Sequence, residues 1–291
     1  MPVNDELGIR MKTFYEQIPK TKLMRRTPVA IRLDGKAFHT FTRGFQKPFD
    51  EVLIKSMQQT MKYLCENIQG CVLGYTQSDE ITLILVDYKK LTSSAWFDYE
   101  VQKMCSVAAS MATVAFNRFF VREVNKWKTQ TFPTNYLGHI NSSISASDVK
   151  LLEVYHAAMN KGAMFDARCF NIPKEEVANL LYWRQLDATR NSIQMVGQAN
   201  FSHKELQNKS CNMIQDMLFT QKGINWNDLP VTQKRGSCCI KEEYYPEAMP
   251  GYEDCPIDAT AVRTRWVIDN NIPIFKEEDR EYINKLVFIG E

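Results

Sequence analysis

Three carboxylates in this 291-residue chain have the sequence surroundings that phosphate chemistry requires. Asp34 closes an alternating apolar run in PVAIRLDG, and Asp79 and Glu80 stand side by side between two apolar runs in LGYTQSDEITLIL. Carboxylates gathered at one place raise one another's pKa, so all stay ionised only beside a cation. Hard oxygen ligands suit Mg²⁺, which commonly takes one or two carboxylates together with substrate phosphates. Two such ions about 4 Å apart clamp the attacking and leaving oxygens of a phosphoryl transfer. Each motif has a plainer reading alone, SDE as a turn or helix cap and LDG as a turn in which Gly supplies positive φ. Their joint placement, with a helix between them, favours metal and phosphate.

The residues after Asp34 extend the pattern. In DGKAFHTF the main-chain N–H groups beyond Gly35 can wrap triphosphate oxygens, and Phe38 or His39 can meet a base. Phe38 and Phe41, taken one at a time, read better as core. Arg32 and Lys47 flank the acids and are candidates for neutralising phosphate, or else are solvated surface charges.

These groups must be positioned by the elements around them. Helical spacing of Leu7, Met11, Phe14 and Tyr15 predicts a helix over about 4–18, followed by the basic segment KTKLMRRTP. Val29, Ile31 and Leu33 alternate in a strand period. Asp50 is a plausible N-cap for a helix carrying Leu53, Met57, Met61, Leu64 and Ile68, with Gly70 at its end. CVLGYT and ITLILV are strands bracketing QSDE. A long helix rich in small residues runs from about 96 to 127, a polar loop or insertion from about 129 to 147, and AMFDARCFNI is a further strand. Pro173 starts another helical stretch, which reaches about 222 with a break near 200–202, and KRGSCCIKEEYY is one strand of a hairpin. The tail is amphipathic in EEDREYINKLVFI.

The order β-α-β-β-α-β is that of the split βαβ, ferredoxin-like arrangement, an α+β palm with helices on one face of an antiparallel sheet. It sets Asp34 beside the Asp79–Glu80 hairpin. We expect a catalytic unit over 1–172, including the insertion near 129–161. A helical and hairpin extension over 173–291 is expected to form one compact unit with it. Fold alone leaves function open.

Composition narrows the classes. Hydrophobic residues make up 44% and charged residues 24%, values of an ordinary globular protein. A net charge of +2 neither proves nor excludes a nucleic-acid partner, because it says nothing of distribution. The eight cysteines form no C-x-x-C pair, and the four histidines show no H-x₃-H spacing, which argues against a Cys/His zinc site. The charged N-terminus lacks the apolar core of a signal peptide, and no run of about 20 apolar residues is evident for a membrane span. The expectation is a cytoplasmic protein with reduced, mostly buried thiols.

The motifs, in order, resemble a known family. IRLDGKAFHTF, KPFD, GYTQSDE, FDARCFNIP, LLYWRQ, WRQLDATRNSIQMVG, FSHKELQNKS, DMLFTQKGINW and KRGSCCIK are similar to segments of the tRNA-His guanylyltransferase superfamily, over roughly residues 1–245. The resemblance implies a polymerase-like palm that adds nucleotides at the 5′ end of tRNA, in the 3′→5′ direction. It implies that Asp34, the Gly35 carbonyl and Asp79 bind two Mg²⁺ ions, with Glu80 the neighbouring acid the family also requires. Residues Asp34, Gly35, Lys36, Ala37, Phe38 and His39, with Ser78 and Asp79, match nucleotide-contacting segments, and Arg32 and Lys47 also fall at matching positions. The implied reaction activates a tRNA 5′-monophosphate with ATP or GTP, after which an incoming nucleotide's 3′-hydroxyl attacks the activated end. The implied assembly is a homotetramer, a dimer of dimers whose tRNA contacts span subunits. Basic clusters at Lys20–Arg26 and Lys234–Arg235 are candidate tRNA contacts or solvated faces.

One departure bears on the substrate. Eukaryotic members that select tRNA-His carry D-C-H-I-N-N, whereas this chain has Asp187-Ala188-Thr189-Arg190-Asn191-Ser192, with Thr189 in the place of the histidine. RNSIQMVG and FSHKELQNKS look instead like the bacterial, archaeal and phage-type guanylyltransferase-like branch. That branch rebuilds 5′-truncated tRNAs by templating on the acceptor strand. The alternatives are G−1 addition specific to tRNA-His, and a palm-type cyclase or small-molecule nucleotidyltransferase. A non-catalytic RNA-binding module is disfavoured because all three acids are present.

Overall fold

The computed structural model describes residues 5–132, 145–244 and 262–290. Its centre is a six-stranded antiparallel sheet in the order β4-β1-β3-β2-β5-β6. The strands are β1 (Val29–Gly35), β2 (Cys71–Gln77), β3 (Glu80–Leu85), β4 (Phe165–Asn171), β5 (Ser237–Tyr244) and β6 (Arg263–Asp269). The helices are α1 (Glu6–Met11, continued by a wider turn to Glu16), α2 (Phe38–Phe41), α3 (Glu51–Asn67), α4 (Val101–Thr131), α5 (Ala146–Lys161), α6 (Lys174–Asn200), α7 (His203–Leu206), α8 (Cys211–Lys222), α9 (Val231–Arg235) and α10 (Glu281–Val287).

The period of two along β1 divides its side chains between the two faces of the sheet. Val29, Ile31 and Leu33 join one core with α3, α4 and α5, whereas Ala30 joins a second core with Val177, Ala178 and Leu181 of α6 and Ile283 of α10. Arg32 and Asp34 share the parity of Ala30 and therefore project toward the α6 face. Helix α3 starts where expected, since the Asp50 carboxylate accepts from the Leu53 N–H at 2.9 Å. Small residues Ala108, Ala112 and Ala115 are buried along α4 and let its backbone close on its neighbours.

The fold is thus the α+β palm, with β1-α3-β2-β3-α4-β4 as its frame. The C-terminal hairpin β5–β6 extends the same sheet by pairing with β2. The stretch expected as a loop near 129–147 differs in its ends: α4 continues to Thr131 and α5 begins at Ala146, while residues 133–144 lie outside the described set. The described cysteines are all free thiols, and Cys65, Cys71, Cys238 and Cys239 are buried. Contrary to the sequence expectation, the 31-residue α4 is long and apolar enough to cross a membrane by length and composition. It is a core helix, because Met104, Phe116, Phe120 and Val124 pack into the first core.

Candidate active site

β1 ends at the same level as the β2–β3 turn, because Asp34 pairs in register with Glu80 on one side and with Asp166 on the other. The Gly35 N–H donates to the Asp79 carbonyl at 3.1 Å, tying the two acid-bearing segments together. Ser78 holds a left-handed φ of 49° in the turn, and its hydroxyl donates to the Asp79 carboxylate at 3.1 Å. A non-glycine residue in that region is strained, and such strain gathers at functional turns. Burial, and then the charge of Asp34, push the Asp79 pKa above the ordinary carboxylate value.

A cavity of about 710 Å³ opens on these groups. Asp34, Gly35, Ala37, Phe38, His39, Lys47, Ser78 and Asp79 all line it, so eight of the ten nucleotide positions anticipated from sequence share one space. Ala37 takes a left-handed φ of 53° and starts α2, which turns the chain around the cavity. Phe38 serves mainly as a wall: it is 4% exposed and its ring meets Phe41, Phe116 and Phe165 at 5.1, 5.4 and 5.2 Å between centroids. Lys36 and Arg32 stand outside the lining. Lys36 is exposed and its N–H donates to the Met164 carbonyl at 2.9 Å.

Glu80 is buried and does not line the cavity. Its carboxylate accepts from Arg32 at 2.8 Å and from Arg184 at 2.7 Å. Arg184 also donates to Asp187 at 2.8 Å. The Glu80 carboxylate is thus taken up by arginines, and among the described residues no group of three or more His, Cys, Asp or Glu side chains is assembled to hold a metal. Asp34 and Asp79 remain as an oxygen pair at the cavity. That set fits a hard divalent cation, which takes few carboxylates and leaves room for phosphate oxygens.

Sequence reading gave no role to Arg184, Met195 or Gln198, although Met195 and Gln198 line the cavity. Arg184 did carry a signal. It falls at helical spacing with Val177, Leu181 and Ala188 in the buried stripe of α6, where an arginine needs a buried acid as partner. A second cavity of about 80 Å³ shares Asp50, Leu53, Ser78 and Met195 with the first and brings Lys234 and Arg235 beside the hairpin. Burial, and then Arg235, lower the Lys234 pKa. The other basic cluster is occupied internally: Lys22 pairs with Asp98, Arg25 with Asp87 and Asp98, and Lys20 with Glu100.

A family model described as tRNAHis guanylyltransferase (Thg1) matches residues 8–173, more than half of the chain. The chain belongs to the tRNA-His guanylyltransferase family. The members of this family are nucleotidyltransferases. A bacterial Thg1-like protein solved in complex with ATP shares 40% identity over 98% of this chain and 100% of that one, with a TM-score of 0.73. The same kind of protein in complex with GTP matches at 39% identity and a TM-score of 0.69, with equal coverage. Among curated relatives, protein R259 of Acanthamoeba polyphaga mimivirus is 30% identical over 82% of this chain and 78% of its own length. The tRNA(His) guanylyltransferase of Saccharomyces cerevisiae is 26% identical over 74% of this chain and 82% of its own.

Proposed function

We propose that this chain is a metal-dependent nucleotidyltransferase that activates the 5′-phosphate of a tRNA with ATP or GTP and then adds nucleotides there, rebuilding truncated 5′ ends. The observation that carries the reading is the Asp34–Asp79 pair on a cavity of about 710 Å³ in a chain 40% identical to a Thg1-like protein bound to ATP. In the first step the RNA 5′-monophosphate displaces pyrophosphate from the α-phosphorus of ATP. In the second, the 3′-hydroxyl of an incoming nucleotide attacks the activated RNA phosphorus and displaces AMP.

Asp34, Asp79 and the Gly35 carbonyl are the proposed holders of Mg²⁺, which when bound supplies charge neutralisation at the phosphoryl oxygens. The remaining work falls to the chain. The turn through Ala37 and His39 offers N–H groups to phosphate oxygens, and Lys47 supplies a further donor at the rim. Glu80 acts through Arg32 and Arg184 to hold the hairpin. A tetramer is part of the proposal, supported by the apolar side chains of the N-terminal segment, where Leu7, Ile9, Phe14, Tyr15 and Ile18 are each more than 60% exposed. A cytoplasmic location belongs to the same reading.

The test is extension of a 5′-monophosphorylated tRNA lacking 5′ nucleotides, with ATP, the four nucleotides and Mg²⁺. Extension that follows the template and disappears in Asp34→Asn and Asp79→Asn supports the reading. No extension by the intact protein, or unchanged extension by either variant, rejects it. A panel of tRNAs separates repair from addition confined to tRNA-His, which bears on Thr189.

A further inference from the structure

Helix α6 leaves one stripe open to solvent as it passes the catalytic end of the sheet. Trp183, Leu186 and Arg190 follow helical spacing on it; Trp183 is 52% and Leu186 51% exposed. The floor beside the stripe is formed by β1 and the edge strand β4. Arg168 lies directly across from Arg32, and Asp166 directly across from Asp34, so all four project toward the α6 face. The Arg168 and Arg190 side chains are more than half exposed. Asp34 therefore shares the α6-facing side of the sheet with Arg32, Asp166 and Arg168. The nucleotide cavity extends from Asp34 toward α2, α3 and the C-terminal part of α6 at Met195 and Gln198.

Trp183 is braced by two arginines. The guanidinium carbons of Arg184 and Arg32 lie 4.3 and 5.5 Å from its ring centroid. Both guanidinium groups are fixed on the buried Glu80 carboxylate, and Arg184 is fixed on Asp187 as well. The result is an indole with two cations held against its ring and half of its surface in water. Base stacking on an aromatic side chain, aided by arginine, is a general way of gripping unpaired nucleotides. Arg168 and Arg190 each engage one neighbouring aspartate, Asp166 and Asp187, through a single nitrogen. A guanidinium carries five N–H donors, so others are available to phosphate oxygens.

We propose that Trp183 is the stacking platform for the terminal base at the growing end of the RNA acceptor, with Arg168 and Arg190 meeting the flanking phosphates. The proposal rests on the RNA reading above and adds the route by which RNA arrives. If the nucleotide fills the cavity beside Asp34, the acceptor is left the β1–β4 side, where Asp166 and Arg168 stand directly across from Asp34 and Arg32. The bracing explains why a large ring is held rigid at an exposed position. It also gives Glu80 a role apart from metal binding, since Glu80 positions the two arginines at the platform.

The test uses the intact protein with 5′-truncated tRNA. A 5-iodouridine at the RNA's terminal position, irradiated in the complex with wild-type protein, is expected to crosslink to Trp183, as read by peptide mass spectrometry. Trp183→Ala is expected to raise KM for the RNA about tenfold or more, the loss expected for one stacked base, with KM for ATP unchanged. Trp183→Phe is expected to restore most of the loss. Crosslinking elsewhere, together with a wild-type RNA KM in Trp183→Ala, overturns the proposal. So does a Trp183→Ala protein that sediments as a smaller oligomer with unaltered RNA KM, because the stripe then belongs to a second copy of the chain. If the wild-type protein extends no RNA at all, the proposed function itself falls. An active wild type with an indifferent Trp183 removes only the platform.

Discussion

Arg184 Nε donates to Glu80 Oε1 at 2.7 Å, and neither side chain exposes more than 6% of its surface. Removing one partner from a buried pair leaves an uncompensated charge, which typically costs about 3–5 kcal/mol. Here Arg32 and Asp187 partly compensate. Glu80→Ala and Arg184→Ala are each expected to lower unfolding free energy by about 3 kcal/mol, at the lower end of that range. The double variant should lose less than the sum of the two, with a coupling of about 1–3 kcal/mol. Urea denaturation of all four proteins measures this.

Gly35 is a glycine because Phe38 occupies the space beside it. A Cβ at Gly35 would sit 2.2 Å from the Phe38 ring, which is wedged among three other aromatic rings. Overpacking of this kind costs about 1–3 kcal/mol. Gly35→Ala is therefore expected to lower the thermal midpoint and to weaken ATP and GTP binding by calorimetry, since Phe38 is also a cavity wall.

Asp50 gives a pH signature. Burial raises its pKa despite hydrogen bonds from Leu53, Tyr155 and Gln46. Between the ordinary carboxylate value and the raised one, the folded state binds more protons than the unfolded state, so this group's contribution to stability falls as pH rises through that window. Asp50→Asn keeps an N-cap acceptor and removes the titration. It should gain stability relative to wild type as pH rises from the ordinary carboxylate range toward neutrality. Asp50→Ala should lose about 1–2 kcal/mol with the cap. Denaturation series at several pH values distinguish these outcomes.

Burial raises the pKa of the Cys65, Cys169 and Cys238 thiols, that of Cys169 to about 12. Thiolate is the reactive form. Iodoacetamide at pH 8 should leave these three cysteines largely unmodified in the native protein and alkylate them after denaturation, as read by peptide mass spectrometry.

Much of the palm is legible in the chain because local pattern and topology agree. The alternation at Val29–Leu33, the Asp50 cap and the polar tip between two apolar strands define β1, α3 and the β2–β3 hairpin, and together they bring Asp34 to Asp79. Glu80 reads as an acid beside the other two, but the sequence does not show that its carboxylate is taken up by Arg32 and Arg184. Its partner Arg184 lies 104 positions away, and only the packing of α6 on the sheet reveals the pair. Arg32 shows the same limit: its alternation places it on the face of Asp34, yet sequence nearness to the acids does not say that it is tied to Glu80. The pairing of β5 with β2 is likewise non-local, and a strand pattern near 237 does not name its neighbour.

That last pairing bears on how the protein is made. A ribosome delivers β1, β2 and β3 well before Ser237 emerges, so the outer edge of β2 waits uncovered while some 160 further residues are synthesised. An unpaired edge of this kind is a template for association with other chains. Nascent or truncated chains ending before β5 are thus the aggregation-prone species, and release of soluble protein depends on a segment far from the catalytic acids.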